Sequence, residues 1–238
     1  MVEARRILVT RPEPGASRTA RRLDEMGYAP VVLPLSETVP IAAKLPPGRY
    51  DAVAVTSVNA LRHADPASIQ KLLHLPVFAV GEKTAGAARA AGFSNVTAAG
   101  GDGAALAQTL AVTLKGQANV LYLAGRVRRS DFEEKAVAAG LLLAVCETYD
   151  TAPIDYGDLR QRLGDAPFDA ALVYSIFAAE ALAALAERAE LPENFLRQTQ
   201  FLCLSPRISE SLPAQWQARA LVAARPDEQA LFNLLAAL

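Results

Sequence analysis

The sequence has little cysteine, little histidine and almost no net charge, and each shortage excludes a class of protein. Its two cysteines, Cys146 and Cys203, lie in apolar segments, which predicts buried, reduced thiols in a cytoplasmic protein rather than a disulfide framework. Its two histidines, His63 and His74, stand apart from any cysteine or carboxylate cluster, so we expect no metal site. The formal net charge of −1 argues against a broad nucleic-acid-binding surface.

Long apolar runs and nucleotide-binding motifs are also missing. No run approaches the ~18 apolar residues needed to span a bilayer, and the N-terminal segment lacks the apolar core of a secretory signal. There is no GxGxxG, Walker or nucleophile-elbow motif. These absences argue against a membrane span and against nucleotide-binding and hydrolase functions. We also expect a monomer with a small-molecule substrate, no nucleic-acid partner, no membrane partner and no cofactor.

What the sequence does contain is a regular alternation of short β-branched runs with helical patterns. Near-continuous apolar strands separated by helices indicate buried parallel sheets, and hence an α/β fold. The predicted strands are Ile7–Thr10, Val31–Leu33, Ala52–Thr56, Val77–Val80, Asn95–Ala98, Val120–Leu123, Leu141–Thr148, Ala170–Tyr174, Phe201–Leu204 and Ala220–Ala223. Ten strands suggest two similar domains, each a five-stranded parallel sheet flanked by helices.

A weak internal repeat supports two similar domains. Its first match keeps one register over about thirty residues, with Gly27 falling on Gly140, which makes chance a poor explanation. The matched segments are Ile7–Thr38 with Val120–Thr151, Asp51–Ser57 with Asp169–Ser175, and Val77–Ala85 with Phe201–Ser209.

The repeat leaves two arrangements open, namely two consecutive domains or one domain inserted into another. Proline-marked breaks at Pro34–Pro40 and Thr151–Pro153 would suit two chain crossings. We therefore favour the inserted arrangement, with residues 1–36 and 152–238 in one domain and residues 37–151 in the other. Leu8 should then lie beside the strand around Leu172.

The candidate site residues follow the strands, because open α/β sheets bind ligands beyond the carboxyl ends of their strands. The residues there are small, hydroxylated or basic, which suits an anion held by hydroxyls, cations and helix N-termini. Each also has a local explanation, since Ser57 and Ser175 are good helix N-caps and Gly81 fits a tight turn. The candidate substrate-binding residues from this argument are Thr10, Arg11, Ser57, Gly81, Thr84 and Ser175; Ser209 joins them only through the family resemblance given below.

Ordered segments along the whole chain resemble the uroporphyrinogen-III synthase family. They read ILVTRP, DAVAVTSVNAL, VFAVGEKTAGAARAAGF, VLYLAG, VCETYDT, DAALVYSIFAAEAL and LSPRISESL. The resemblance implies two α/β domains joined by a two-stranded connector. It also implies a cofactor-independent hydro-lyase that converts hydroxymethylbilane to uroporphyrinogen III, with loss of water and inversion of the fourth pyrrole ring.

The resemblance also implies roles for individual residues. Tyr149 matches the family tyrosine proposed to protonate the leaving hydroxyl; it could instead pack at a hinge with its hydroxyl bonded to backbone, and a substrate carboxyl could supply the proton. Thr84 matches a substrate-contacting threonine. In the second half Ile208 replaces the expected hydroxyl, which Ser209 or Arg207 could supply. The competing functional hypothesis is a non-enzymatic protein that binds or senses a tetrapyrrole or small anion.

Overall fold

The protein is described by a computed structural model that covers residues 4–188, 191 and 195–238. The chain divides into two compact units. Unit 1 comprises Met1–Glu37 and Ala152–Leu238, and unit 2 comprises Thr38–Thr151. The chain therefore passes from one unit to the other twice.

Short strands and helices alternate along most of the described chain. The strands are β1 (Arg6–Val9), β2 (Ala29–Val32), β3 (Ser36–Pro40), β4 (Ala52–Val55), β5 (Val77–Ala79), β6 (Val96–Ala98), β7 (Asn119–Gly125), β8 (Leu142–Pro153), β9 (Ala170–Val173), β10 (Gln200–Cys203) and β11 (Ala220–Val222). The helices are α1 (Gly15–Glu25), α2 (Val58–Arg62), α3 (Pro66–Leu72), α4 (Glu82–Ala90), α5 (Gly103–Leu114), α6 (Asp131–Ala138), α7 (Leu159–Leu163), α8 (Ile176–Ala186), α9 (Pro206–Glu210), α10 (Ala214–Gln217) and α11 (Glu228–Ala236). None of these helices is long and apolar enough to cross a membrane.

Unit 1 is built on a parallel five-stranded sheet in the order β11-β10-β9-β1-β2. Its central strands are apolar because side chains on both faces enter a core: Leu8 packs on one side, Ile7 and Val9 on the other. In the register of β1 with β9, Leu8 lies opposite Ala171 and Val9 opposite Leu172. This is the pairing expected from the inserted arrangement.

Unit 2 contains a second sheet in the order β3-β8-β7-β4-β5-β6. The pairs from β8 to β6 are parallel, and β4 at the centre is fully buried. This sheet has six strands, one more than the sequence predicted, because β3 lies beside β8. The Ser-Glu-Thr-Val-Pro sequence of β3 lacks a strong strand pattern, so its pairing depends on β8 rather than on its own propensity.

The structure reproduces the internal repeat at the ends of α1 and α6. Gly27 and Gly140 each follow the helix C-cap with φ of +83°, a conformation that favours glycine. The amide of the next residue donates to the carbonyl five positions earlier, from Tyr28 to Leu23 and from Leu141 to Ala136, both at 3.0 Å. Each glycine thus ends its helix with the same Schellman turn.

Candidate active site

The carboxyl ends of three strands of unit 2 lie at one edge of its sheet. Val55 at the end of β4 pairs with Leu123 of β7 and with Ala79 of β5. The strands are parallel, so the residues that follow them emerge together. This edge therefore collects four of the predicted site residues, namely Ser57, Gly81, Thr84 and Tyr149.

The N-terminus of α4 is open at this edge. Its N-cap is Gly81, which has an extended backbone and no side chain to cap the helix. A Cβ atom placed on Gly81 would meet nothing within 4 Å. The amides of Thr84 and Ala85 donate to the Gly81 carbonyl, whereas those of Glu82 and Lys83 have no partner within the described chain. Such free amides at a helix N-terminus suit an anion.

Thr84 lies in the first turn of α4 and is only 6% exposed. Its hydroxyl makes no hydrogen bond to any other described residue. Among the described residues every fully buried side-chain oxygen or nitrogen has a hydrogen-bond partner, so the Thr84 oxygen keeps contact with solvent. The hydroxyl can therefore meet a ligand at the open helix end, which suits a binding role.

Tyr149 lies in β8 beside the carboxyl end of β7. The ladder between these strands shifts register at Ala124 and Gly125, which places Gly125 opposite Tyr149. The Tyr149 ring lies 5.9 Å from the His63 ring, centroid to centroid. The Tyr149 backbone accepts a hydrogen bond from Arg126. Among the described residues, nothing hydrogen-bonds the Tyr149 hydroxyl, so the expected alternative of a backbone-bonded hydroxyl is not observed.

His63 is held close to this tyrosine. Its Nε2 atom lies 2.8 Å from the Thr38 hydroxyl. Burial lowers the pKa of His63, and the charge of Arg62 lowers it further. A neutral His63 ring is thus favoured beside Tyr149.

The basic side chains at this edge fall into two groups, those that are paired with carboxylates and those that have no such partner among the described residues. Arg126 and Arg128 are paired, the first with Glu147 and Asp150, the second with Glu133 and Glu147. The hydrogen bond from Arg128 is the main cause that lowers the pKa of Glu147.

Lys83 and Arg129 are exposed and form no ion pair within the described ranges. Both are available to an anionic ligand. Arg129 was missed as a candidate, although it stands in the basic run that directly follows β7.

Ser57 and Ser175 hold equivalent positions in the two units. Each is an N-cap with extended backbone, and its hydroxyl oxygen accepts from a backbone amide, that of Asn59 at 3.2 Å and of Ala178 at 3.1 Å. Capping therefore explains both serines locally. Because the cap uses only the oxygen lone pair, each hydroxyl proton remains available to a ligand.

Arg11 emerges from the carboxyl end of β1 in unit 1, but it is not a free cation. Its Nη1 atom donates to Glu228 at 2.8 Å, and its guanidinium stacks 4.3 Å from the Tyr174 ring centroid. Glu228 also accepts hydrogen bonds from Thr19, Tyr174 and Arg22. Burial raises the pKa of Tyr174 to about 12, so this phenol keeps its proton. What Arg11 can still offer a ligand is its Nε and Nη2 donors.

Thr10 and Ser209 have their hydroxyl protons engaged within unit 1. Thr10 is buried and donates to the Leu172 carbonyl at 3.0 Å, while Ser209 donates to the Pro206 carbonyl at 2.8 Å. Ile208, which stands where a hydroxyl was expected, is buried in the core. Arg207 is exposed and unpaired within the part of the chain that is described, so it is better placed than Ser209 to meet an anion.

No three His, Cys, Asp or Glu side chains within residues 4–188, 191 and 195–238 are grouped so as to hold a metal ion. The candidate site as described consists of hydroxyls, helix amides and basic side chains. This donor set suits a polyanionic ligand.

The chain matches a family model described as uroporphyrinogen-III synthase HemD over residues 17–233. No curated protein sequence matches it significantly. Among solved structures, uroporphyrinogen-III synthetase from Helicobacter pylori 26695 is 18% identical, with a TM-score of 0.67 over 98% of this chain and 99% of that one. A mutant uroporphyrinogen III synthase from the extremely thermophilic bacterium Thermus thermophilus is 16% identical, with a TM-score of 0.52 over 98% and 97%. At these identities the two structures establish the fold.

Proposed function

The chain belongs to the uroporphyrinogen-III synthase family. We propose that it binds the linear tetrapyrrole hydroxymethylbilane at the carboxyl edge of the sheet of unit 2 and cyclises it there. The family reaction is that of a hydro-lyase of haem biosynthesis that needs no cofactor. Water is lost, the fourth pyrrole ring is inverted, and uroporphyrinogen III is formed. The observation that carries this function is the family match, which runs through both units from residue 17 to residue 233.

The open N-terminus of α4 binds one of the eight substrate carboxylates. The free amides of Glu82 and Lys83 point beyond Gly81, where the absence of a side chain leaves room for the ligand. The helix dipole favours a negative charge at this end by about 0.3–1 kcal/mol. The exposed Lys83 ammonium adds a full charge, and the Thr84 hydroxyl, which has no hydrogen-bond partner within the described chain, donates a further hydrogen bond to the ligand.

Tyr149 supplies the proton for the leaving hydroxyl. Its hydroxyl can donate a proton to the leaving hydroxyl oxygen, which then departs as water. Inversion breaks the bond between the fourth ring and its bridging carbon, and the ring carbon released from that bond joins the carbon that lost the hydroxyl. The bridging carbon is rejoined at the free α-carbon of the ring, which loses a proton that the phenolate can take back. The net change is the loss of one water molecule from hydroxymethylbilane. A substrate carboxyl remains the alternative proton source.

Orientation supplies the other part of the catalysis. The activated bilane can close without inversion to give the symmetric isomer, so the protein must hold one conformer of a flexible molecule. Fixing reacting groups in a near-attack geometry can contribute about 7–11 kcal/mol to lowering a barrier. Several anchored carboxylates would do this with few classical catalytic groups.

In unit 1, Ser175 and Arg11 are proposed as further substrate contacts, through a free hydroxyl proton and through Nε and Nη2 respectively. Thr10 and Ser209 were also predicted to bind substrate, but their hydroxyl protons already form hydrogen bonds to backbone carbonyls. We therefore propose Arg207 as a substrate contact instead.

We further propose that units 1 and 2 act as two domains joined by β3 and β8, and that the protein is a cytoplasmic monomer without nucleic-acid partners. Its free, buried cysteines are compatible with a reducing compartment.

The test is to incubate the purified protein with freshly generated hydroxymethylbilane in EDTA and to separate the product isomers. We expect mainly the type III isomer. Folded protein that binds the bilane but yields only type I would instead indicate the non-enzymatic binding protein.

Tyr149→Phe tests the proposed proton donor, because it keeps the ring and removes the hydroxyl. A positioned general acid contributes about 10²–10⁴ in rate, so kcat should fall by at least 100-fold. Tyr28→Phe, a partly buried tyrosine of unit 1 outside the site, is the matched control. If the two variants keep similar kcat values, Tyr149 is not the acid.

A further inference from the structure

Gly125 is the last residue of β7, and the Tyr149 ring lies directly against it. A Cβ atom built on Gly125 would lie 2.5 Å from Cζ, 2.8 Å from Oη and 2.9 Å from Cε2 of Tyr149. Contacts this short do not occur, since carbon atoms pack at about 3.5–4.0 Å. The phenol end of Tyr149 thus occupies the space that any other residue at position 125 would need.

The Gly125 backbone is fixed by a charged network. Its carbonyl accepts a hydrogen bond of 3.0 Å from Nη1 of Arg128. Arg128 is in turn held by Glu133 at 2.6 Å and by Glu147 at 2.9 Å. Glu147 stands two residues before Tyr149 on β8, so the network connects the backbone under the ring to the strand that carries it. The surface against which the ring rests is therefore well defined.

We infer that Gly125 is a positioning residue that sets where the Tyr149 hydroxyl points, an inference that rests on the proposed role of Tyr149 as proton donor. The hydroxyl has no protein partner within the described residues, so hydrogen bonding does not hold it in place. What locates it is packing: the ring rests on Gly125, lies beside the His63 ring and packs against the apolar core on one face of the sheet.

The inference predicts a separation of activity from stability. The atoms that clash with a new Cβ are at the free end of a side chain, which can turn away without disturbing the sheet. The ring must move by about 1 Å to restore an ordinary contact. A displacement of this size can reduce a rate by about 10²-fold. In Gly125→Ala, kcat should therefore fall about 100-fold, with little change in KM or Tm.

The control is Gly157→Ala in unit 1, where a new Cβ meets nothing within 4 Å and φ is not positive. It should keep the kcat of the unaltered protein. The double variant Gly125→Ala/Tyr149→Phe should be no slower than Tyr149→Phe alone, because a positioning residue has no effect once the group it positions is gone. A purely structural defect would instead add to the loss.

The outcomes separate the inference from the proposed function. A normal kcat for Tyr149→Phe overturns the proton-donor role, and the inference fails with it. A slow Tyr149→Phe with a normal Gly125→Ala leaves the donor in place and overturns only the inference, as does a double variant much slower than Tyr149→Phe. If Gly125→Ala does not fold, Tyr149→Ala in the same chain should restore folding by clearing the ring; failure to restore it would show that the clash is not with Tyr149.

Discussion

Replacing Glu228 should lower the free energy of unfolding, because its carboxylate holds two arginines of unit 1. Its carboxylate lies between the Nη1 atoms of Arg11 at 2.8 Å and Arg22 at 2.6 Å, and its side chain is 22% exposed. Removing one partner of a fully buried ion pair costs about 3–5 kcal/mol. Here the two arginines are 30% and 43% exposed, so solvent screens part of that cost. We expect about 2 kcal/mol for Glu228→Ala, within the range of about 1.5–3 for a charged hydrogen bond.

Urea unfolding and a thermal melt measure this effect. At about 2–4 °C per kcal/mol, the Tm should fall by about 4–8 °C. Glu180→Ala is the matched control, because Glu180 is an exposed glutamate of α8 with no ion pair in the described structure. Such a surface change should stay within about 0.5 kcal/mol. Equal effects from the two variants would refute the reasoning.

The same network predicts a pH dependence. Burial acts to raise the pKa of Glu228, but the hydrogen bonds from Thr19, Tyr174 and Arg22 and the charge of Arg11 outweigh it, so the pKa is lowered. A carboxyl with a lowered pKa contributes stability above its unfolded pKa of about 4.3 and loses that contribution as pH falls through the folded value. The difference in unfolding free energy between the unaltered protein and Glu228→Gln should thus shrink below about pH 4.3. A difference that stays constant from pH 7 to pH 3 would contradict this.

Three further predictions concern single residues of unit 2. In the isomer assay, Thr84→Ala should raise KM several-fold more than it lowers kcat, because it removes a substrate contact. The control, Thr113→Ala on the exposed surface of a helix, should leave both values unchanged. Gly86→Ala should stabilise the protein by about 0.5–1 kcal/mol in urea unfolding, because the new methyl meets nothing within 4 Å in the middle of α4. Gly140→Ala should destabilise it by about 1–2 kcal/mol in the same measurement, because φ is +83°; a stabilised Gly140→Ala would show that the helix end rearranges.

The sequence predicted most strands well because their apolar character is local. Strands such as β4 and β9 are buried on both faces, and a continuous run of Ala, Val and Leu reports that directly. β3 was missed because its partner β8 is about a hundred residues away. In the sequence Gly81 and Gly86 both resemble helix breakers, yet α4 runs from Glu82 to Ala90, with Gly81 as its N-cap and Gly86 in its interior.

The candidate site was predictable in position but not in detail. Residues after the strands can be placed at a sheet edge from topology alone, and Ser57 and Gly81 are there. Arg11 illustrates the limit, because its partner Glu228 is 217 residues away and no local pattern links the two. The contact between Gly125 and Tyr149 likewise depends on a register shift between β7 and β8, which is visible only when the strands are paired.

The division of unit 1 between the two ends of the chain has a consequence for synthesis on the ribosome. β1 cannot pair with β9 until β9 has been synthesised. The Arg6 amide, for example, donates a hydrogen bond to Asp169, which is 163 residues further along the chain. Unit 2 ends at Thr151, before β9, β10 and β11 of unit 1 have been translated. At about 5–20 residues per second, β1 and β2, which pair with each other, remain without the other three strands of their sheet for several seconds after unit 2 can fold. We therefore expect nascent chains to expose the apolar residues Ile7, Leu8 and Val9 during this interval, which makes the N-terminal segment the natural target of chaperones that act during translation.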